Sequence, residues 1–247
     1  GTLYLGLRDN GIYESSDGGL TWHEQNEGIE ATTAPRDIDV DPQNRNRIFV
    51  AAGPDGGWRT VDGGRTWERR VADHVNAFAL HPQNTDVVYA GVANAGSGAV
   101  LRSTNGGDTF PTAYTSSVDI YALAVAAADP DVVYAGGEDG GQAVLVRSGN
   151  GGASWSETLT LPAGRITSLA IHPVTPSVAY VGIEDRSTVP STGVIYRTSD
   201  DGGTWDPVYT SGGGSIHSIT IDQQRSSVIY ATDDQQVLKS SDGGTTW

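Results

Sequence analysis

The chain has 247 residues, 37% of them apolar, with 30 acidic against 15 basic side chains and a net charge of -15. That length is enough to bury a sizeable core, and the charge sets up a repulsive field against phosphate backbones and anionic lipid, which excludes nucleic acid and membrane surfaces as partners. Cysteine is absent, which excludes disulfides, thiolate metal sites and thiol nucleophiles together.

From the N-terminus, residues 1–7 read as a strand carrying Tyr4, and a turn with Asp9 leads into the segment SSDGGLTW at 15–22. A second unit follows: a strand at Ile38-Asp39-Val40, a turn DPQNRN, a strand with Phe49, a loop with Asp55, and TVDGGRTW at 60–67. The third runs from Phe78-Ala79-Leu80 through HPQNTD and Tyr89 to STNGGDTF at 103–110. The fourth has Leu123-Ala124-Val125, Tyr134, a loop with Glu138 and Asp139, and SGNGGASW at 148–155. The fifth has Leu169-Ala170-Ile171, HPVTPS, Tyr180, the longest loop of the set from Glu184 and Asp185 to Thr192, and TSDDGGTW at 198–205. The sixth has Ile219-Thr220-Ile221, Tyr230, a loop with Asp233 and Asp234, and SSDGGTTW at 240–247.

The repeated segments, called boxes here, start 45, 43, 45, 50 and 42 residues apart. A period near 40 to 50 with short period-two strands and Gly-rich turns is the signature of four-stranded propeller blades. The 33 glycines and many β-branched residues disfavour helix. The reading is therefore all-β: one domain over 1–247, a β-propeller of about six four-stranded blades. The inner strand comes first in each blade, with large apolar residues on one face and small ones on the other; Asp39 is the exception. The chain opens in a second strand and stops at the start of a fourth, so 23 of 24 strands are expected in an incomplete ring, a fragment of a six- or seven-bladed or two-propeller parent. Methionine is missing, initiator included, which also reads as an excised or processed piece.

Within each box the Asp or Asn is expected to accept turn N–H groups, the Gly to adopt a left-handed conformation, and the aromatic to pack into the blade. These structural positions are Asp17, Asp62, Asn105, Asn150, Asp200 and Asp242, with Trp22, Trp67, Phe110, Trp155, Trp205 and Trp247. Since Asn replaces Asp twice, the position needs an acceptor shape rather than a charge, which argues against catalysis there.

The pattern S-x-D-x-G-x-T-W in this setting resembles the Asp-box or BNR repeat, over essentially the whole chain. Families sharing it include sialidases, xyloglucan-cleaving glycoside hydrolases, sortilin-type receptor domains and photosystem II assembly factors; the phrase VVYAG after Asp86 and Asp131 is similar to secreted bacterial members. The resemblance implies a propeller and leaves the function open. A sialidase's Arg-Ile-Pro segment and arginine triad are not recognisable. Xyloglucanase-like enzymes place their carboxylates in a cleft between two propellers, where this chain offers one at most. The arginine-rich patch of the photosystem factors runs against the overall charge.

The loops joining second to third strands gather on the face opposite the boxes, and their acids form a candidate rim for ligand binding: Asp9, Asp55, Glu138, Asp139, Glu184, Asp185, Asp233 and Asp234. Three readings compete: solvated turn acids, a rim for a basic or hydroxyl-rich partner or a cation, and a pair of carboxyls for glycoside hydrolysis. His81 and His172 share one turn position and read as structural; His23, His74 and His217 lack paired ligand spacing, so no metal site is proposed. Trp58 stands in a core register, two residues before a box. Arg59, Arg102, Arg147, Arg197 and Lys239 precede boxes and read as blade-surface residues. No phosphate loop or dinucleotide fingerprint calls for a cofactor. The reading is a non-catalytic, extracytoplasmic propeller (secreted, periplasmic or cell-surface) for a protein or carbohydrate ligand, without membrane insertion; the alternative is part of a xyloglucanase-like or sialidase-like hydrolase.

Overall fold

A computed structural model describes residues 1–29 and 33–247. The described residues contain twenty-two strands and no α-helix. They form six antiparallel meanders in which strands follow chain order. The first is β1 (Leu3–Leu7), β2 (Gly11–Ser15) and β3 (His23–Glu24); the second β4 (Asp37–Val40), β5 (Ile48–Ala51), β6 (Gly57–Thr60) and β7 (Glu68–Val71). The third is β8 (Val75–Leu80), β9 (Val88–Val92), β10 (Gly98–Ser103) and β11 (Thr112–Ser116). The fourth is β12 (Asp119–Val125), β13 (Val133–Asp139), β14 (Gln142–Ser148) and β15 (Ser156–Leu161). The fifth is β16 (Gly164–Ile171), β17 (Ala179–Asp185), β18 (Thr192–Thr198) and β19 (Asp206–Thr210), and the last β20 (Ile216–Ile221), β21 (Ile229–Asp233) and β22 (Val237–Ser240). Strand order thus follows the sequence reading; the last blade has three strands, so the described residues hold 22 strands where 23 were expected. Packing divides the chain into two compact units: Gly1–Asn94 with Val100–Thr112, and Ala95–Ala99 with Ala113–Trp247.

Each box is a closed set of hydrogen bonds. In the first, Ser15 Oγ donates to Asp17 Oδ1 (2.8 Å), Thr21 N–H donates to the same oxygen (2.9 Å), Thr21 Oγ1 donates to Oδ2 (2.6 Å), and Gly19 N–H donates back to Ser15 Oγ (2.8 Å). Where Asn stands instead, the direction of one bond reverses: Asn105 Nδ2 donates to Thr109 Oγ1 (3.0 Å) and Asn150 Nδ2 to Ser154 Oγ (2.8 Å). A hydroxyl both donates and accepts, so the turn closes with either residue. Box glycines such as Gly19 (φ 93°) and Gly64 (φ 94°) take the left-handed backbone the turn requires. The box N–H at Gly106 is tied to Asp86 O (2.9 Å), and that at Gly151 to Asp131 O (2.9 Å).

Seams between neighbouring blades of one unit are made by the second-strand aromatics. Tyr4 Oη donates to Gly63 O of the next box (3.2 Å), and Tyr180 Oη to Gly243 O (2.8 Å). Phe49 has no hydroxyl; there Arg59 Nη1 donates to Gly106 O (2.7 Å) and pairs with Asp108 (2.8 Å). Arg59 is consequently buried, at 7% exposure, which corrects its reading as a surface residue. Arg102, Arg147, Arg197 and Lys239 instead lie over the rings of Tyr89, Tyr134, Tyr180 and Tyr230 at 5.5–6.0 Å. Close approach needs small residues: a Cβ on Gly136 would meet Ile166 Cγ2 at 2.6 Å, and one on Gly182 would meet Ile216 Cγ2 at 2.6 Å. Trp67, Phe110, Trp155, Trp205 and Trp247 pack wholly or partly inside, whereas Trp22 is exposed. Trp58 packs against the cluster of Ile12, Ile48 and Val50, its indole N–H on Asp55 O (3.1 Å), as a core residue.

The connecting turns explain two histidines. His81 Nδ1 accepts the N–H groups of Gln83 (3.2 Å) and Asn84 (3.0 Å), and His172 Nδ1 those of Val174 (3.3 Å) and Thr175 (3.0 Å). Asp41 and Asp222 cap the equivalent turns through a carboxylate oxygen, at 2.8–3.1 Å.

Candidate functional site

All eight rim acids fall at second-to-third strand connections. In the first unit Asp9 occupies the β1–β2 turn with φ 63° and Arg8 3.9 Å away, and Asp55 the β5–β6 turn. In the second unit the acids engage one another's neighbourhoods. Arg186, just beyond β17, donates to Glu138 (2.9 Å) and to Glu184 (3.0 Å), and Arg165 of β16 also reaches Glu184 (3.1 Å). Arg165 in turn lies over the Tyr121 ring at 5.5 Å. These contacts place the Glu138 and Glu184 carboxylates on the two arms of one guanidinium. The flanking oxygens hold Arg186 above its ordinary basicity, the hydrogen bond to Glu184 first.

The remaining acids of that unit close their own loops. Ser117 Oγ donates to Asp139 (2.5 Å), and Ser187 N–H to Asp185 (2.8 Å). Asp233 is buried and accepts Gln235 N–H (2.9 Å), Gln236 N–H (2.8 Å) and Tyr209 Oη (3.2 Å). Burial pushes its pKa up, but the Gln235 and Gln236 backbone bonds together with the Tyr209 and Gln236 side chains outweigh it and hold the carboxyl below the ordinary range. Asp234 bonds to the His217 ring and accepts Ser215 N–H (3.3 Å).

Two features escaped the sequence reading. Four inner strands carry a bulge at one repeat position, and the extra residues are Asn76, Tyr121, Thr167 and His217. Bulges re-aim side chains, and here they aim chemically diverse groups from an otherwise uniform frame. Thr167 bonds to Gly182 O (3.0 Å) and Ile216 O (2.5 Å), His217 meets Asp234, and Asn76 accepts from Arg36 (2.8 Å) and lies 3.1 Å from His74 Nε2. The signal was available as an inner-strand position where the repeats disagree in kind. The second feature is Asp37, which joins Asp39 on β4 to give two carboxyls on one strand face. Asp39 stood out in sequence as the acid among small residues; Asp37 did not.

Among the described residues no group of three or more acids or histidines is arranged to hold a metal ion.

No protein-family model matches the chain, and no curated protein matches it. Solved structures do. The chain is similar to the Niastella koreensis GH74 enzyme with a TM-score of 0.80 and 18% identity, over 100% of this chain and 43% of that one. It is similar to the GH74 xyloglucanase from Xanthomonas campestris with a TM-score of 0.79 and 14% identity, over 99% and 43%. It is also similar to YCF48 bound to D1 peptide, with a TM-score of 0.63 and 14% identity, over 93% and 71%. The chain therefore spans less than half the length of the GH74 structures it matches. At these identities the likeness carries the fold and nothing finer: the chain is an all-β protein built from six β-propeller blades.

Proposed function

We propose that the chain is a non-catalytic recognition propeller of an extracytoplasmic protein, binding a peptide or carbohydrate over the second-to-third strand loops. The observation that carries this reading is the state of the rim in the second unit. Glu138 and Glu184 are spent on Arg186, Asp139 on Ser117, Asp233 on its own loop and Asp234 on His217. A glycosidase needs one carboxyl free to give a proton and another free to attack or to activate water, whereas fixed carboxylates, a guanidinium pair and a tyrosine ring suit hydrogen bonding and stacking to a ligand. The likeness to a peptide-bound YCF48 supports a peptide, and the GH74 likeness supports a polysaccharide. The second reading, part of a glycoside hydrolase, is favoured by those GH74 matches and the 43% of their length that this chain spans.

The test is a paired assay of the intact protein on xyloglucan, soluble β-glucans and a library of basic and neutral peptides, scoring reducing-end release and binding separately. Binding without release, weakened at least tenfold by Glu184→Gln and Glu138→Gln together, supports recognition at this rim. Release of reducing ends that disappears in the same double variant overturns it in favour of the hydrolase.

A further inference from the structure

The β4–β8 seam of the first unit carries two acids where its siblings carry none. Asp37 stands opposite Ala51 and Asp39 opposite Phe49. The matching pairs in later blades, fixed by the same register against the second-strand aromatic, are Ala77 and Ala79, Ala122 and Ala124, Ser168 and Ala170, and Ser218 and Thr220. Residues two apart on a strand share a face and lie about 7 Å apart. Asp37 Oδ2 accepts Phe78 N–H of β8 (2.9 Å), a cross-blade bond that Ser168 Oγ makes to Ile219 N–H (2.9 Å) without a charge. The seam thus has a neutral way to be closed and uses an ionisable one.

Among the described residues, the strands packed on β4 bring no cation to the pair. Its neighbouring strands are β1, β5 and β8; within them the sole ionisable side chain is Tyr4. Of the flanking cations, Arg36 bonds to Asn76, His74 contacts the same amide, and Arg47 pairs with Asp41 (2.6 Å).

We propose that Asp37 and Asp39 form a proton-operated catch: a proton taken from water by Asp39 lets the β4–β8 seam close, and its return to water at higher pH leaves two like charges that loosen it. Desolvation, followed by the charge of Asp37, holds Asp39 well above the ordinary carboxylate range, and burial raises Asp37 as well. The sign follows. A carboxyl raised in the folded state binds more protons folded than unfolded, so its contribution is largest near and below the ordinary carboxylate value and is lost as pH rises through the folded one.

The test is urea unfolding of the whole chain from pH 5 to pH 8 in the native sequence, in Asp39→Ala, which copies three sibling blades, and in Asp37→Ser/Asp39→Ala, which copies the fifth. Relative to either variant, the native unfolding constant is expected to rise with pH by up to about tenfold per pH unit, the limit for one linked proton. Amide exchange at Phe78 is expected to quicken over the same range in the native chain and to stay level in the double variant. Parallel unfolding profiles in native and variant chains, or a variant less stable than native at pH 8, overturn the proposal. Should Asp39→Ala not fold, Asp39→Asn makes the same comparison.

Discussion

The box acid works by geometry, and the geometry is indifferent to charge. In Asp62 the hydroxyls of Thr60 and Thr66 donate to the carboxylate (both 2.7 Å), while Asn105 and Asn150 close the same loop by accepting from the first hydroxyl and donating to the second. Asp62→Asn is therefore expected to leave the thermal midpoint nearly unchanged, whereas Asp62→Ala, which abandons those donors and the Thr66 N–H, lowers it by several degrees; a calorimetric scan of the two decides. Acid separates the two kinds of box. Burial pulls Asp62 upward but its hydrogen bonds hold it at about 2, and Thr246 above all holds Asp242 at about 2. Their contribution, present above the ordinary value near 4, is lost as pH falls toward 2, while the two Asn boxes do not titrate. The equivalence of Asp and Asn was legible in sequence from the substitution alone. The role of Asp37 was not, because a carboxylate accepting an N–H from the next blade leaves no trace in a linear pattern.

At the scale of the element, four of the five turns between inner and second strands are held by one acceptor at their first residue, Asp41, His81, His172 or Asp222, where the fourth blade has Ala126, and the choice of acceptor sets the pH range. Desolvation and then the Arg197 charge push the His172 imidazole below its ordinary value. A protonated ring cannot accept the Val174 and Thr175 N–H groups, so this turn is stable above the ordinary histidine range and weakens as pH falls through the lowered folded value. His172→Asp, copying Asp222, is expected to remove that loss; thermal midpoints between pH 7 and pH 4.5 in native and variant chains check it, and equal slopes would refute it. The strands themselves were readable because period-two alternation, Pro-rich turns and boxes recur in one order. What the alternation hid were the bulges: one extra residue in β8, β12, β16 and β20 shifts the pattern by a single place, so Tyr121 and His217 fall just before the stretch where period two can be read. The Arg186 clamp was half visible, since the loop's length singled it out but the partner on β13 comes from another blade.

For the molecule as a whole, 30 acidic against 15 basic groups leave a net charge of -15, and that excess repels itself. Screening shortens that repulsion to about 10 Å at 0.1 M salt, so raising sodium chloride from 20 to 200 mM is expected to raise the thermal midpoint at pH 7. A fall would mean that the ion pairs, Arg186 with its two glutamates among them, outweigh self-repulsion. The same field favours cationic or neutral ligands at the loops, in keeping with the recognition reading. Fold class was legible at this scale because six copies of one box leave few architectures; function was not, because the loops differ from blade to blade, and difference has no template.

The two Asn boxes also bear on how the protein ages. Asn105-Gly106 and Asn150-Gly151 are the dipeptides in which a backbone nitrogen most readily attacks the preceding side chain to give a succinimide. In both, that nitrogen is held by a carbonyl, Asp86 or Asp131, and the amide group is held by a hydroxyl and a backbone N–H. The folded turn thereby shields its own weakest chemical link, and where hydrolysis does yield aspartate, the product is the residue the other four boxes already use; an isoaspartate, with its extra backbone carbon, is the one product the turn cannot absorb.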